Sequence, residues 1–347
     1  MSVFNPDDVG ISNGNLFGFP IEEIDANIIV IPVPWDVTAS YGKGTSLGPK
    51  AILDASTQLD FYHPKLENAF LTKVFMTPIS DEWLKINEKL SIDSLAYIQH
   101  LESGSKDFSE FNAFLSEVDN AHKALTSNLN ERCEYLLNQN KIVAVLGGEH
   151  STPLGLIKAL NNTYSDFGIL QIDAHADLRI AYENFNQSHA SIMYNVLQTC
   201  ANVSKLVQVG IRDIAQSEVD LINSSNNRVK TFYDWELKEN SFHGQNWAEQ
   251  VREIISELPE NVYVSFDIDG LAPSLCPNTG TPVPGGFSLE EINFLLFALV
   301  ESGRKIIGFD LNEVSPGNSG DWDANVGARA LWSLICSTEK SRRIHEK

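Results

Sequence analysis

Six predominantly apolar runs constrain the fold of this 347-residue chain more than any other feature of its sequence. A strand with one exposed face would carry polar residues at alternate positions, whereas such runs are typical of parallel strands covered on both faces. Helix-like segments separate the runs, and this alternation predicts an α/β protein with a doubly wound, mostly parallel sheet. The runs span 28–33, 142–146, 167–172, 206–209, 262–266 and 306–311, and weaker ones span 74–76 and 228–232.

Helices are expected between these strands. Ser288 followed by Glu291 indicates a capping box at the start of one of them. The segment 81–140 is polar with scattered apolar residues, which predicts a helical insertion or a helical hairpin. No repeat or interdomain linker is visible, so we predict a single domain over residues 1–347. The predicted helices span 151–160, 188–200, 247–258, 288–302 and 326–336.

The bulk composition limits the partners and the compartment. A formal charge of −21 with no basic patch argues against a nucleic-acid partner and is typical of a solvated acidic surface, which would also attract cationic ligands. The four cysteines are far apart in the chain, as is typical of reduced thiols in a cytosolic protein. Neither a secretory signal nor an apolar run long enough to span a bilayer is visible. We therefore expect a cytoplasmic protein without a membrane partner.

Acidic and histidine residues cluster where the apolar runs end. Residues 147–151 read Gly-Gly-Glu-His-Ser, residues 173–177 read Asp-Ala-His-Ala-Asp, and residues 267–269 read Asp-Ile-Asp. Glu313 follows the last strong run. Because ligands of open parallel sheets bind beyond the carboxyl ends of the strands, we expect these side chains to line one crevice. Within the second cluster, a locally extended chain points the first, third and fifth residues the same way.

A pair of divalent cations would explain these clusters. Carboxylates at the ends of buried strands are costly unless they are neutralised. A single aspartate in such a place is usually a helix cap or a turn residue, but five such residues in two clusters, with His150 after a third strand, favour a metal site. Carboxylates and imidazoles without thiolates suit Mn²⁺ better than structural zinc, and leave Ni²⁺ and Co²⁺ open.

The three clusters, with the third extended to Ser265-Phe266-Asp-Ile-Asp, resemble the signature motifs of the ureohydrolase family, which includes arginase, agmatinase, guanidinase, guanidinobutyrase and formimidoylglutamase. The resemblance covers nearly the whole chain. It implies a three-layer α/β/α fold with a mostly parallel sheet of about eight strands and a binuclear manganese site. The implied ligands of one ion are His150, Asp173, Asp177 and Asp267, and those of the other are His175, Asp173, Asp267 and Asp269, with Asp173 and Asp267 bridging.

The chemistry of guanidinium hydrolysis requires such a centre. The guanidinium carbon is a poor electrophile, and two metals lower the pKa of a bridging water to give a hydroxide nucleophile. Asp177 is placed to orient that hydroxide. His189 matches the histidine that agmatinase-like members carry after the second motif, and a proton shuttle to the leaving amine is a natural role for it. Glu313 resembles the family glutamate that accepts hydrogen bonds from the guanidinium group.

Two loops favour the agmatinase and guanidinase branch of this family. Residues 34–49 and 277–286 are rich in glycine and proline and are expected to shape the pocket mouth. The asparagine and serine pattern that arginase uses for an amino-acid head group is absent. Agmatine and guanidine are therefore the first expected substrates, with guanidinobutyrate behind them. The alternatives are a formimidoylglutamase, which would release formamide, and a catalytically silent metal-binding homologue.

One departure from the family pattern lies just after the last metal motif. Members commonly carry Asp-Pro there, whereas this chain has Ala272-Pro273. We expect a local effect on the loop, so that Ala272→Asp would not greatly increase turnover. The resemblance also implies a homo-trimer or homo-hexamer.

Overall fold

The computed structural model describes residues 4–318 and 320–346 and contains, within them, one sheet of eight parallel strands. The order across the sheet is β2-β1-β3-β8-β7-β4-β5-β6. Each predicted apolar run is a strand, so the predicted parallel α/β architecture is confirmed. The strands are β1 Ile28–Val33, β2 Val74–Met76, β3 Ile142–Gly147, β4 Phe167–Ile172, β5 Val203–Ile211, β6 Val229–Tyr233, β7 Asn261–Asp267 and β8 Lys305–Asn312.

Helices connect the strands, and several were not predicted. The short helices α1, α6 and α7 were missed because each has only nine residues, too short a stretch for a clear helical period. The predicted capping box of α9 is present, since the Glu291 N–H donates to Ser288 Oγ at 3.2 Å and the Ser288 N–H donates to Glu291 Oε2 at 2.8 Å. The helices are α1 Gly48–Ser56, α2 Asp81–Glu102, α3 Asn112–Leu137, α4 Leu154–Thr163, α5 Ile192–Thr199, α6 Gln216–Ser224, α7 Asp234–Phe242, α8 Trp247–Ser256, α9 Leu289–Glu301 and α10 Trp322–His345.

Both faces of the sheet are covered, which explains why its strands are apolar at successive positions. Ile28 and Val30 of β1 join a buried cluster that includes residues of α1, α9 and α10. Ile29, between them, joins a second cluster with residues of α3, α4 and α5. Successive strand side chains point to opposite faces, so each face carries its own helical layer. The result is the predicted three-layer α/β/α sandwich.

Two long helices occupy most of the segment 81–140, for which either a helical insertion or a helical hairpin was predicted. Residues 81–102 form α2 and residues 112–137 form α3, and the two helices pack against each other. Ser80 caps α2 by accepting a hydrogen bond from the Trp83 N–H. Helix α3 packs in turn against α4, which connects β3 to β4. The segment is thus helical and belongs to one outer layer.

The four central strands place the sequence motifs. Strands β3, β8, β7 and β4 are neighbours in the sheet, and because they are parallel, their carboxyl ends meet at one edge. The four cysteines are buried and form no disulfide in the described chain. Within residues 4–318 and 320–346, no helix combines the length and apolar character that a membrane crossing requires.

Candidate metal centre

The central strands bring the predicted site residues to one edge of the sheet. His150 lies in the turn after β3, and Asp173 directly follows β4. Asp267 is the last residue of β7, and Glu313 directly follows β8. These residues are almost completely buried, so their charges face one another rather than solvent.

Three carboxylates surround one nitrogen of His150. Its Nδ1 lies 3.0 Å from Asp173 Oδ2, 2.9 Å from Asp177 Oδ2 and 3.3 Å from Asp267 Oδ2. This Nδ1 has no hydrogen-bond partner among the described residues, although it is buried. His150, Asp173 and Asp267 form a group whose ligand atoms all lie within 4.8 Å of one another. They therefore form a cluster that can hold a cation.

The other nitrogen of His150 shows why a cation fits. Its Nε2 lies 2.8 Å from Ser265 Oγ, which in turn donates to Asp310 Oδ1 at 3.1 Å. With the ring proton on Nε2, the lone pair of Nδ1 faces three acceptor-only carboxylates. Electron pairs facing one another in a buried site require a positive charge between them. The donor set therefore fits a divalent metal ion.

A second group shares one residue with the first. His175 Nδ1 lies 3.0 Å from Asp269 Oδ2 and 3.8 Å from Asp173 Oδ1. The ligand atoms of Asp173, His175 and Asp269 also lie within 4.8 Å of one another. Asp173 thus belongs to both groups, as expected of a bridging ligand. A bridging role for Asp267 stays a prediction, because Asp267 belongs to the first group alone.

Backbone and side-chain donors fix these carboxylates in place. Asp173 Oδ2 accepts a hydrogen bond from Gln171 Nε2 at 2.8 Å, and Asp173 Oδ1 accepts one from the His175 N–H at 2.6 Å. Asp269 Oδ1 accepts from the Ala174 N–H at 3.0 Å. Oxygens oriented by such partners are held ready for a ligand.

Burial works against negative charge throughout the first group. It raises the pKa of Asp177 to about 7, and the neighbouring Asp173 carboxylate adds to the effect. Burial also raises the pKa of Asp173 and lifts that of Asp267 well above its ordinary range. These shifts mean that the carboxylates ionise together only when positive charge is supplied.

In the second group, the attraction between His175 and Asp269 outweighs the effect of burial on their pKa values. Burial alone lowers the pKa of His175, but the Asp269 carboxylate outweighs it and raises that pKa to about 10. Burial alone raises the pKa of Asp269, but the charge of His175 and the Ala174 N–H outweigh it and lower that pKa to about 2. In the absence of a metal, His175 and Asp269 therefore form an ion pair.

Two site residues adopt backbone conformations that are rare for side-chain-bearing residues. Asp177 has φ of 54° and Glu313 has φ of 64°. The left-handed region costs a residue with a Cβ about 1–2 kcal/mol. Such a conformation persists where the surroundings fix it, and it is common at functional sites.

Glu313 lies beside the first group but is partly engaged by the protein itself. Its Oε1 accepts a hydrogen bond from the His150 N–H at 2.8 Å. Burial raises its pKa well above the ordinary range, and the Asp267 carboxylate adds to the shift. Its Oε2 lies 3.3 Å from the position that a Cβ on Gly280 would take. One oxygen of Glu313 is therefore left for an external donor.

His189 lies on the wall of a cleft that opens beside His175 and Asp177. The Tyr182 ring meets the His189 ring edge-on, with centroids 5.6 Å apart. Burial lowers the pKa of His189 to about 3, and the charge of His175 lowers it further, so the ring is neutral at neutral pH. The cleft has a volume of about 130 Å³ and is lined by Ser40, His175, Asp177, Arg179, Tyr182, His189, Ala190, Asp213, Glu218 and Thr281.

The two glycine-rich loops meet beside this site. The Gly42 N–H donates to the Gly280 carbonyl at 3.1 Å, which joins the loop after β1 to the loop after β7. Thr279 Oγ1 donates to the Glu313 carbonyl at 2.8 Å. Ala272 pairs its N–H with the Phe287 carbonyl at 2.9 Å. The effect of its missing carboxylate stays a prediction.

Sequence reasoning missed several residues that complete the site. Asp310 supports His150 through Ser265, and Gln171 holds Asp173, as described above. Glu218 accepts the Leu178 N–H at 3.0 Å and lines the cleft. Asp310 and Gln171 lie within the predicted strands, and polar residues inside apolar runs were a signal that could have identified both.

The comparisons with known proteins agree with this geometry. Residues 26–337 match the model of the arginase family. The chain belongs to the arginase family. This arginase-family protein is 31% identical to an N(1)-aminopropylagmatine ureohydrolase of Synechocystis sp. over 84% of its own length and 82% of the relative's. It is 27% identical to an agmatinase of Halalkalibacterium halodurans over 83% of each chain.

A solved structure supports the fold independently. The agmatine ureohydrolase of Thermoplasma volcanium superimposes with a TM-score of 0.72 at 22% identity, over 99% of this chain and 98% of that one. The predicted resemblance to the agmatinase branch and the predicted arginase-like fold are therefore confirmed. So is the prediction of a hydrolase that acts on C–N bonds of linear amidines.

Proposed function

We propose that this arginase-family protein hydrolyses a small guanidino compound to urea and an amine or ammonia, with agmatine and guanidine as the first candidate substrates. The observation that carries the proposal is the pair of His–carboxylate groups that share Asp173. The similarity to relatives named agmatinase and N(1)-aminopropylagmatine ureohydrolase supports a guanidino substrate.

We propose two Mn²⁺ ions as the cofactors, with Ni²⁺ or Co²⁺ as substitutes that the same ligand types accept. His150, Asp173, Asp177 and Asp267 would hold one ion, and His175, Asp173, Asp267 and Asp269 the other. Bound there, the ions supply Lewis acidity that lowers the pKa of a water molecule and polarises the guanidinium group.

The residues of the chain supply positioning and proton transfer. A carboxylate oxygen of Asp177 accepts a hydrogen bond from the attacking water and thereby orients it. The free Oε2 of Glu313 accepts hydrogen bonds from guanidinium N–H groups, a pairing of opposite charges that fixes the substrate. His189 lines the cleft beside His175 and Asp177, where its ring can take up a proton and pass it to the leaving nitrogen.

We further propose a cytoplasmic protein that forms a trimer or a hexamer, as its family resemblance implies. Its four buried, unpaired cysteines suit a reducing compartment. Light scattering of the purified protein measures the assembly state directly.

The test is a product assay on metal-loaded protein. Purified chain is loaded with Mn²⁺ or Ni²⁺ and incubated with guanidine, agmatine, guanidinobutyrate or arginine, and urea is quantified. A parallel assay measures formamide from formimidoylglutamate. We expect urea from agmatine or guanidine and none from Asp173→Asn. Formamide as the main product would establish the formimidoylglutamase alternative. Metal-loaded protein that is inactive on every compound would establish the silent homologue.

A further inference from the structure

Thr38 lies between His189 and the buried carboxylate of Glu149. It follows β1 in the loop 34–49 and is completely buried. Its Oγ1 lies 2.7 Å from Glu149 Oε1, 3.3 Å from the backbone nitrogen of His189 and 3.5 Å from His189 Nδ1. The Thr38 N–H donates to Glu149 Oε2 at 2.9 Å. Thr38 therefore joins Glu149 to the ring that is proposed to carry the proton.

The donors around Glu149 determine the direction of these hydrogen bonds. Ser151 Oγ also donates to Glu149 Oε1, at 2.6 Å. On the far side of Ser151, its Oγ lies 2.9 Å from Nε2 of the buried His122. Glu149 thus accepts two hydroxyl groups and one backbone N–H. The single proton of the Thr38 hydroxyl is used in the bond to Glu149, which is its shortest contact.

Burial raises the pKa of Glu149 to about 7. When the Glu149 carboxylate is ionised, the Thr38 oxygen can only accept from His189. A hydroxyl oxygen has two lone pairs, and two nitrogens of His189 lie within reach: the backbone nitrogen and Nδ1. If Nδ1 carried no proton, its lone pair would face a lone pair of the Thr38 oxygen. The arrangement is satisfied when Nδ1 is protonated, which leaves the lone pair of the neutral ring on Nε2.

We propose that Thr38, held by Glu149, is a positioning residue that fixes the Nδ1–H tautomer of His189 and keeps its Nε2 free for proton exchange in the cleft. This inference rests on the proposed function, because it assigns a support to the proposed proton shuttle. The Nε2 atom has no hydrogen-bond partner among the described residues, and the His189 side chain lines the cleft. The tautomer is thus fixed by a contact with the completely buried Thr38.

Helix α2 holds the loop that carries Thr38. Asp36, two residues earlier, accepts hydrogen bonds from Asn87 Nδ2 at 2.9 Å and from Ser91 Oγ at 3.3 Å. The Asp36 N–H donates to Asn87 Oδ1 at 2.7 Å, and Ser94 Oγ donates to the Val37 carbonyl. A polar face of α2 therefore fixes the backbone on which Thr38 depends, which a positioning role requires.

Solid-state ¹⁵N NMR on histidine-labelled protein tests the tautomer directly. The protein is loaded with diamagnetic Zn²⁺, and the ring signals of His189 are assigned by difference from His189→Asn. We expect Nδ1 to be protonated and Nε2 to be unprotonated at neutral pH. In Thr38→Val, which keeps the shape but removes the hydroxyl, we expect the Nδ1–H form to lose its preference. A wild-type His189 protonated on Nε2 would overturn the proposal, whether or not the variants fold.

Kinetics on the Mn²⁺-loaded protein give the second measurement. General acid–base catalysis contributes about 10²–10⁴-fold, so loss of its orientation in Thr38→Val should lower kcat on the order of tenfold to a hundredfold. KM and metal content should stay the same, and Thr38→Ser should restore kcat. The matched control is Thr163→Val, in which the lost hydroxyl donates only to the Ala159 carbonyl within α4, and it should leave kcat unchanged.

The outcomes separate this inference from the proposed function. Full activity in His189→Asn would remove the shuttle role of His189 itself. An inactive His189→Asn together with a Thr38→Val that keeps both the wild-type tautomer and the wild-type kcat would overturn the role of Thr38 alone. If Thr38→Val does not fold, Thr38→Ala and the wild-type tautomer decide the question.

Discussion

Glu313 Oε1 accepts a hydrogen bond from the backbone N–H of His150, with the two atoms 2.8 Å apart. The carboxylate proposed to bind the substrate is thereby tied to the residue proposed to bind a metal. One charged side chain then links the end of β8 to the end of β3. A change at Glu313 should therefore affect the substrate more than the metals, because its bond to His150 uses the backbone and leaves the imidazole untouched.

Glu313→Gln should lower kcat/KM about 10- to 100-fold, since hydrogen bonds to a charged group contribute about 1.5–3 kcal/mol. The amide can still accept the His150 N–H, so metal content should stay at the wild-type level. Steady-state kinetics and elemental analysis check both statements. Glu301→Gln, which changes a partly exposed carboxylate paired with Lys65 and Lys340, serves as the control and should retain full activity. Loss of metal from Glu313→Gln would contradict this division of roles.

The number of metal ions bound per chain should depend on which of the two His–carboxylate groups a substitution changes. Asp173→Asn removes a ligand from both groups and should leave less than one tightly bound ion per chain. His175→Ala affects the second group alone and should retain about one ion, against two in the wild type. Elemental analysis after extensive dialysis measures these values. Asp54→Asn, at an exposed pair with Lys50, should bind as the wild type does. Equal metal content in all four proteins would refute the assignment.

Removal of the metals should also destabilise the fold. A ligand that binds only the folded state stabilises it by about 2.7 kcal/mol at a hundred times its dissociation constant, and buried carboxylates without cations repel one another. We expect a chelator to lower the midpoint of thermal unfolding of the wild type and to leave that of Asp173→Asn nearly unchanged. Differential scanning calorimetry gives both values. A wild-type midpoint that does not respond to chelation would show that the carboxylates are neutralised by protons alone.

His122 makes the stability depend on pH. Burial lowers the pKa of this histidine from 6.5 to about 4, so the folded state resists a proton that the unfolded state accepts. Its contribution is complete above pH 6.5 and is lost as the pH falls towards 4. Between pH 7 and pH 5 the loss is about 2 kcal/mol. Denaturant unfolding at these two pH values should show this extra loss in the wild type relative to His122→Gln. Identical pH dependence in the two proteins would show that His122 makes no such contribution to stability.

Gly42 tests the contact between the two loops at the cleft. A Cβ there would lie 2.7 Å from the Gly280 carbonyl oxygen, so Gly42→Ala must displace one loop. Because Gly280 also approaches Glu313, we expect KM to rise at least several-fold. Global stability should change by about 1 kcal/mol or less, since both loops lie outside the sheet. Lys73→Ala, far from the cleft in the residue before β2, is the control for kinetics. An unchanged KM would show that the loops do not shape substrate binding.

The sheet and the metal cluster could be predicted because the signals are local. A predominantly apolar run such as 167–172 identifies a buried strand by itself, and Asp173 then falls at its carboxyl end whatever the rest of the chain does. The short helices lack such a signal. In α7, polar residues occupy most positions, and the helix is fixed by its packing against β5 and β6.

The support of His189 could not be predicted for a different reason. Thr38 and His189 are 151 residues apart, and a hydroxyl in a loop carries no periodic or motif signal. The role of Glu149 was not visible in its motif, because its partner Thr38 comes from a segment 111 residues away. Tertiary structure alone brings such residues together.

Because Asp36 is bound to α2, a substitution in this helix can affect catalysis from a distance. Asn87 and Ser91 lie on an outer helix and touch none of the proposed metal ligands, yet they bind Asp36, two residues before the Thr38 that we propose fixes the tautomer of His189. Natural variants at these two positions would be slow enzymes with intact metal sites. Proximity to the ions is consequently a poor guide to which replacements in this chain are silent.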